Sequence, residues 1–357
     1  GQILLFIIFR DTYSAAIWSM NIACSIRDCA SAAIHSGGTT FSRTLSASAL
    51  EGFVACPYRF FLGSVLRLRP REVKERLLEL DPLLRGSIVH SLQFRWLVRM
   101  RDEGRFPLAA SALPAAQAVL ADVVRATRAE LHEDLVPALP RAFDDELDRL
   151  ERDLRRWVGG LAGAEWQPAY FELGFGGPRG DEHDAASVAD PVAIPEASVT
   201  LRGSIDLVER RAAQAGEGAA RNLRATDTKT GTAWHRPGTR IGGGHALQPV
   251  LYALALEKIF PDARIEGGRL HYCSTKGEFK EVVVPLDGEA RAAAGRVLAA
   301  LDAELLAGQV VRWPEDQRTC ELCDYHVVCG DDEARRAADK RRAKVSLPLL
   351  DAVRREP

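Results

Sequence analysis

From Leu45 onward the chain moves between two kinds of hydrophobic spacing. Leu50, Phe53, Val54, Phe60 and Phe61 recur at helical intervals, with Ser46 or Ser48 available as the N-cap. Pro57 falls inside this run and removes a backbone N–H, which predicts a kinked or two-piece helix. A second helix is expected from about Arg85 to Arg101, buried along Val89, Leu92, Trp96 and Met100, with His90 beside the stripe. Residues 108–161 are rich in alanine, leucine and arginine at helical period and read as a helical insertion, which Pro137 and Pro140 divide in two.

The period then changes to two. Tyr170 to Phe175, Val199 to Val208 and Leu223 to Lys229 are expected strands, with a long mobile loop from Gly176 to Ala197. A helix from about His245 to Phe260 follows, buried along Leu247, Val250, Leu251 and Leu254. Two more strands (Gly268 to Cys273, Glu278 to Val284) precede a helix from Glu289 to Leu306. The end of the chain carries Arg335, Arg336, Lys340, Arg341, Arg342 and Lys344 and reads as a frayed basic tail over 331–357. Strands, a helix and more strands together give a mixed α/β core.

Composition narrows the function classes. With 357 residues, 46% hydrophobic and 27% charged, the chain can bury about two domains, or one core with a large insertion. The net charge of −2 excludes a strongly basic DNA-coating protein, so any nucleic-acid contact must be local. Purely apolar runs, Ile3 to Phe9 among them, reach only seven residues, too short to span a bilayer, and no membrane association is expected. Residues 1–40 hold seven of the 13 isoleucines and begin with Gly1, which reads as an anomalous leader outside the fold. Cys24 and Cys29 fall within it and take no role. Three of the seven cysteines cluster, which fits a metal site in a reducing, cytoplasmic setting better than a disulfide framework.

Three groups of residues could carry chemistry. Asp206 lies on the polar face of its strand, while Asp227 and Lys229 project together from the next. Two carboxylates on adjacent strands can share Mg²⁺ or Mn²⁺, and an ammonium beside them can orient water. Asp227-Thr228-Lys229 alone is more often ordinary strand-end polarity. His90 follows Gly86 by one helical turn, and Gln248 and Tyr252 share a helix face, where they could hold a phosphodiester or bridge helix to sheet. Cys320, Cys323 and Cys329 need a fourth partner, for which Cys56 or His326 is available, and spacing does not separate zinc from iron–sulfur. Cys273 reads as a plain core residue.

The ordered set of Gly86-xxx-His90, Gly203-xx-Asp206, Asp227-x-Lys229 and Gln248-xxx-Tyr252 resembles the RecB-like branch of the PD-(D/E)XK nucleases. With Cys56-Pro57-Tyr58-Arg59-Phe60-Phe61 near the start and three late cysteines, it resembles the nuclease domain of AddB-type helicase–nuclease subunits over roughly residues 45–330. The resemblance implies a restriction-endonuclease-like core within 41–330. It also implies His90, Asp206, Asp227 and the Thr228 carbonyl as Mg²⁺ or Mn²⁺ ligands, and Lys229 as the residue that positions water. Gln248 and Tyr252 would shape the DNA-binding side, and Glu172 would be an outer carboxylate. Cys56, Cys320, Cys323 and Cys329 would hold a [4Fe–4S] cluster as a clasp, in preference to zinc. DNA would be the substrate, in double-strand break repair and recombination, with a bacterial, nucleoid-associated location and an AddA-like partner subunit. No Gly-Lys dipeptide occurs, so no ATP site of the Walker type is expected on this chain. Two other expectations stay open: a CRISPR-adaptation nuclease, against which the 115 residues between His90 and Asp206 weigh, and a non-catalytic metal-bearing DNA scaffold for a helicase.

Overall fold

The computed structural model describes residues 44–69, 80–135, 137–177, 180, 182–194, 199–211, 221–233, 235, 238–330, 332–342 and 347–356. The leader over 1–40, with Cys24 and Cys29, and Lys344 lie outside the described residues. After the short strand β1 (Thr44–Leu45), Ser46 caps helix α1 (Ala47–Ala55), its hydroxyl accepting the Ala49 N–H at 3.1 Å. Cys56 is extended and breaks the run, and Pro57 opens α2 (Pro57–Phe60), which continues as one π turn over Phe61–Val65. The two-piece helix follows from the missing N–H of Pro57. Phe53 and Phe60 lock the two pieces edge to face, 5.4 Å apart.

Helix α3 (Pro82–Asp102) starts earlier than the hydrophobic stripe predicts, because Asp81 accepts the N–H groups of both Leu83 and Leu84 and Pro82 occupies the first helical position. Val89, Leu92, Trp96 and Met100 are buried along it as the spacing predicts. Helices α4 (Leu113–Leu135) and α5 (Pro140–Leu161) form the two pieces of the helical stretch. They pack with α3 rather than apart from it. The Trp96 indole donates to the Ala116 carbonyl at 3.0 Å and meets the Trp157 ring at 5.3 Å.

The central sheet has five strands in the order β2 (Gln167–Phe175), β5 (Gly203–Arg211), β6 (Arg221–Lys229), β7 (Ala263–Tyr272) and β8 (Glu281–Pro285). Only β6 and β7 run parallel, and helix α6 (Leu247–Ile259) makes the crossover that a parallel pair requires. A small sheet of β1, β4 (Thr200–Leu201) and β3 (Val192–Ala193) flanks it. One layer of core joins the sheet to α1, α6 and α7 (Gly288–Leu306). A second joins Phe171, Leu207 and Cys273 to α3, α4 and α5. Cys273 is the core residue its strand position predicts.

Two expectations give way. The Gly176 to Ala197 stretch is tied down where it is described: buried Asp184 accepts the N–H groups of Phe171 and Ala186 and pairs with Arg101 at 2.9 Å, and Val192 and Ile194 enter the core. The end of the chain is not frayed either. Beyond α8 (Gln317–Glu321) and α9 (His326–Cys329), it forms α10 (Glu333–Arg342) and α11 (Pro348–Val353), and Leu350 and Val353 are core residues. Its basic charge hid an apolar anchor of three residues, Leu347, Leu350 and Val353, too short to register as a periodic pattern.

Candidate metal centre

Two adjacent strands change face at the same level of the sheet. Phe171 and Leu173 would share a face in a regular strand, yet Phe171 packs against α3–α5 and Leu173 against the opposite layer. Across from them Ile205 and Leu207 divide in the same way. The residues between them are Glu172 and Asp206. Glu172 adopts φ 46°, a left-handed conformation that costs a non-glycine residue about 1 kcal/mol or more. Simple alternation therefore fails here, and the site residues sit at the break.

His90 on α3 faces this break. Its Nδ1 is 3.5 Å from Asp206 Oδ2 and 3.9 Å from Glu172 Oε1. His90, Glu172 and Asp206 each offer a ligand atom within 4.8 Å of the others, and no other such group occurs among the described residues. An imidazole nitrogen and two carboxylates are a donor set that suits a hard divalent cation. Both carboxylates are also held from behind. Ser204 Oγ donates to Glu172 Oε2 at 2.8 Å, and the Thr228 N–H donates to Asp206 Oδ2 at 2.7 Å. A Cβ at Gly86, one turn below His90, would meet Thr230 Oγ1 at an ordinary 3.7 Å, so the packing of α3 on the end of β6 does not itself demand glycine there.

The electrostatics are those of a site with too much buried negative charge. Burial, and then Asp227, raise the Asp206 carboxyl to about 7. Burial works against the His90 imidazolium, but Glu172 and Asp206 outweigh it and hold the ring at about 9. Asp227 is raised by burial despite Lys229. Such mutual repulsion is what a bound cation relieves.

Asp227 and Lys229 project together as alternation predicts, and their charged atoms are 2.6 Å apart. Asp227 stands outside the close ligand group. Gln248 Oε1 accepts from Lys229 Nζ at 2.7 Å, so the ammonium is held from two sides. Burial lowers the Lys229 ammonium, but Asp227 and then Glu51 outweigh it and bring it above its ordinary value. Tyr252 shares the Gln248 face, as i, i+4 spacing requires, but is buried against Phe175 and Gly203. Its hydroxyl is hydrogen-bonded to Gln248, and burial, then Asp227 and Asp206, raise it well above its ordinary value, so it stands beside the site. Sequence spacing did not single out Glu51. It lies on α1, its Oε1 accepts the Leu247 N–H at 3.0 Å, and burial pushes it to about 7.

Cys56, Cys320, Cys323 and Cys329 are all free thiols, and all four line one cavity beside Tyr58, Arg312 and His326. No three of their sulfurs lie within 4.8 Å of one another. A four-thiolate zinc site would hold its sulfurs about 3.8 Å apart, from a Zn–S bond of about 2.3 Å in tetrahedral geometry.

Residues 44–330 match the PD-(D/E)XK nuclease superfamily. The chain belongs to this superfamily, whose members are in general metal-dependent phosphodiester hydrolases. The mixed five-stranded sheet flanked by helices is consistent with that fold. No curated protein sequence matches the chain. No helix among the described residues is long and apolar enough to cross a membrane.

Proposed function

We propose that the protein is a Mg²⁺- or Mn²⁺-dependent deoxyribonuclease, exonuclease or endonuclease, of the AddB/RecB-like type, acting in DNA double-strand break repair and recombination. The observation that carries the reading is the convergence of His90, Glu172 and Asp206 at one bend of the sheet, next to the Asp227–Lys229 pair. His90, Asp206 and Asp227 would hold the cation, with Glu172 as a further carboxylate and the Thr228 carbonyl as a neutral oxygen. When bound, the cation supplies charge neutralisation at the scissile phosphate and a more acidic water. The chain's own residues do the positioning. Lys229, fixed between Asp227 and Gln248, presents its ammonium to the attacking water and to the charge that builds on the phosphate. Ser204 and the Thr228 N–H keep the carboxylates aimed without reorganisation.

Cys56, Cys320, Cys323 and Cys329 would hold a [4Fe–4S] cluster with a structural role. Four free thiols around one cavity support this reading. A helicase-bearing partner of the AddA kind would supply unwound strand in the cytoplasm. The 115 residues between His90 and Asp206 favour this reading over a CRISPR-adaptation nuclease.

The test is cleavage of labelled linear DNA by anaerobically purified protein, with Mg²⁺ or Mn²⁺ against EDTA, beside Lys229→Ala. Metal-dependent cleavage lost in the variant is expected. Metal-independent binding with no cleavage, from folded protein carrying its cluster, would replace the nuclease by a DNA-binding scaffold.

A further inference from the structure

Beyond the metal centre, the α5 end of the sheet encloses a cavity of about 360 Å³ between α5, β5–β8 and the turn before β8. That volume lies in the range of small-ligand pockets, about 300–1,000 Å³. Two of its walls are aromatic rings with guanidinium groups stacked on them. Arg224 lies over Trp166 at 4.5 Å and Arg156 over Phe279 at 4.0 Å.

The guanidinium donors inside are not all used. Arg269 is paired with Glu209 at 2.9 Å and Glu281 at 2.8 Å. Arg224 shares Glu209 through its Nε at 2.7 Å, and its two Nη groups have no hydrogen-bond partner among the described residues. Arg156 has no carboxylate partner among the described residues. Three guanidinium groups and three carboxylates line it, but the carboxylates are engaged by Arg269, by the Nε of Arg224 and, for Glu165, by Arg211, which leaves Arg156 and the Arg224 Nη groups as open donors. Two buried nitrogens also lack hydrogen bonds: the ring Nδ1 of His271, on a residue 9% exposed, and the donor Nε1 of Trp157, on one 3% exposed. Buried polar atoms of this kind normally have partners.

We propose that this cavity binds a nucleoside monophosphate group, its phosphate held by Arg156 and Arg224 and its base set among the flat aromatic and guanidinium walls. Open guanidinium donors call for an anion, and charge-assisted guanidinium–phosphate pairs are strong. The flat walls and the volume call for a ring system rather than phosphate alone. Trp157 lines both this cavity and the pocket that holds His90, Glu172 and Asp206, so the two sites share one indole wall. The nucleotide is either the end of a substrate strand or a released mononucleotide. Its identity as a nucleotide rests on the nuclease reading, whereas the anion site does not.

The test is equilibrium dialysis of the full chain in EDTA with labelled dAMP, inorganic phosphate or a 5′-phosphorylated oligonucleotide as competitor. Saturable dAMP binding is expected, weakened about tenfold or more by Arg156→Glu and restored in part by Arg156→Lys. Arg156 is exposed, so these variants leave the fold intact. Asp206→Asn should retain dAMP binding. Displacement by the oligonucleotide assigns the site to a strand end, and its failure to displace assigns it to a released product; both uphold the site. Absence of saturable binding, indifference to Arg156→Glu, loss in Asp206→Asn, or phosphate competing as tightly as dAMP would each overturn the proposal. Cleavage is scored separately, so a dead nuclease that still binds dAMP separates the two readings.

Discussion

Glu51 and Leu247 lie 196 residues apart in the chain, yet the Glu51 carboxylate accepts the Leu247 N–H at 3.0 Å. Helix α6 has no cap of its own, because Ala246 at its N-cap offers no side-chain acceptor. Glu51 supplies that acceptor from α1. The next residue on α6, Gln248, is the one that holds Lys229. Glu51→Ala should therefore cost about 1 kcal/mol of stability, as losing an N-cap does, and lower turnover through Lys229. Glu51→Gln keeps an acceptor and should recover most of the stability. Thermal melts and single-turnover cleavage of both variants decide this; equal turnover in Glu51→Ala and wild type would detach Glu51 from the site.

The metal centre makes stability depend on pH in a definite direction. Asp206 titrates at about 7 in the folded chain against an ordinary 3.8, so the folded state holds the extra proton and the metal-free protein loses stability as pH rises through that window. His90 is raised from 6.5 to about 9, so its contribution is complete below 6.5 and is lost as pH climbs through 9. Asp206 acts between about pH 4 and 7 and His90 between about 6.5 and 9, so together they lower the stability of the metal-free protein from about pH 4 to 9. A cation competes with those protons, so stabilisation by Mg²⁺ should grow over the same range. Melting temperatures in EDTA and in Mg²⁺ across this range measure it. A Mg²⁺-induced shift that stays flat with pH would place the cation elsewhere.

The cysteines give a separate expectation. Burial raises the thiols of Cys320, Cys323 and Cys329, the last to about 11, so a cluster must displace protons to form. Cys56 and Cys320 are 264 positions apart, and closing so long a loop stabilises by at most roughly 5 kcal/mol on a cross-link estimate. Cys329→Ser should abolish the visible absorbance of anaerobically prepared protein and lower its melting temperature. Colourless wild-type protein with one bound zinc would settle the site for zinc.

What was legible in the sequence is what repeats with a period. The stripes of α3 and α6, the Ser46 cap and the Pro57 break all follow from local rules, and the fold uses them as written. The Asp227–Lys229 pair was legible for the same reason, since a regular strand puts both on one face. Glu172 was undervalued because alternation assumes an unbroken strand, and the left-handed Glu172 breaks it where the chemistry gathers. Glu51 was invisible because its partner is remote in sequence: a carboxylate after Leu50 looks like a solvated helix residue until α6 arrives without a cap. Tyr252 was placed on the right face, but which neighbour covers that face is a tertiary fact.

The last prediction concerns the end of the chain, whose arginines and lysines suggest a frayed tail. Leu350 on α11 is fully buried, and Arg354 donates to the carbonyls of Val54, Ala55 and Trp313. The turn that leads into α6 passes beneath it. Gly243 and Gly244 have φ 64° and 84°, and a Cβ at Gly243 would lie 2.8 Å from the Arg354 carbonyl oxygen, while one at Gly244 would lie 2.8 Å from a methyl of Val54. Only glycine fits such a turn under such a lid. Removing the lid should thus loosen the entry to α6 and, with it, the Gln248 support of Lys229. Leu350→Ala should cost about 2–5 kcal/mol, the usual penalty for a core leucine, and should lower turnover more than substrate affinity. Urea denaturation and cleavage kinetics on the variant read the two effects. A variant that melts like wild type would show that the tail is not part of the folded core, and one that is destabilised but turns over normally would uncouple it from the site.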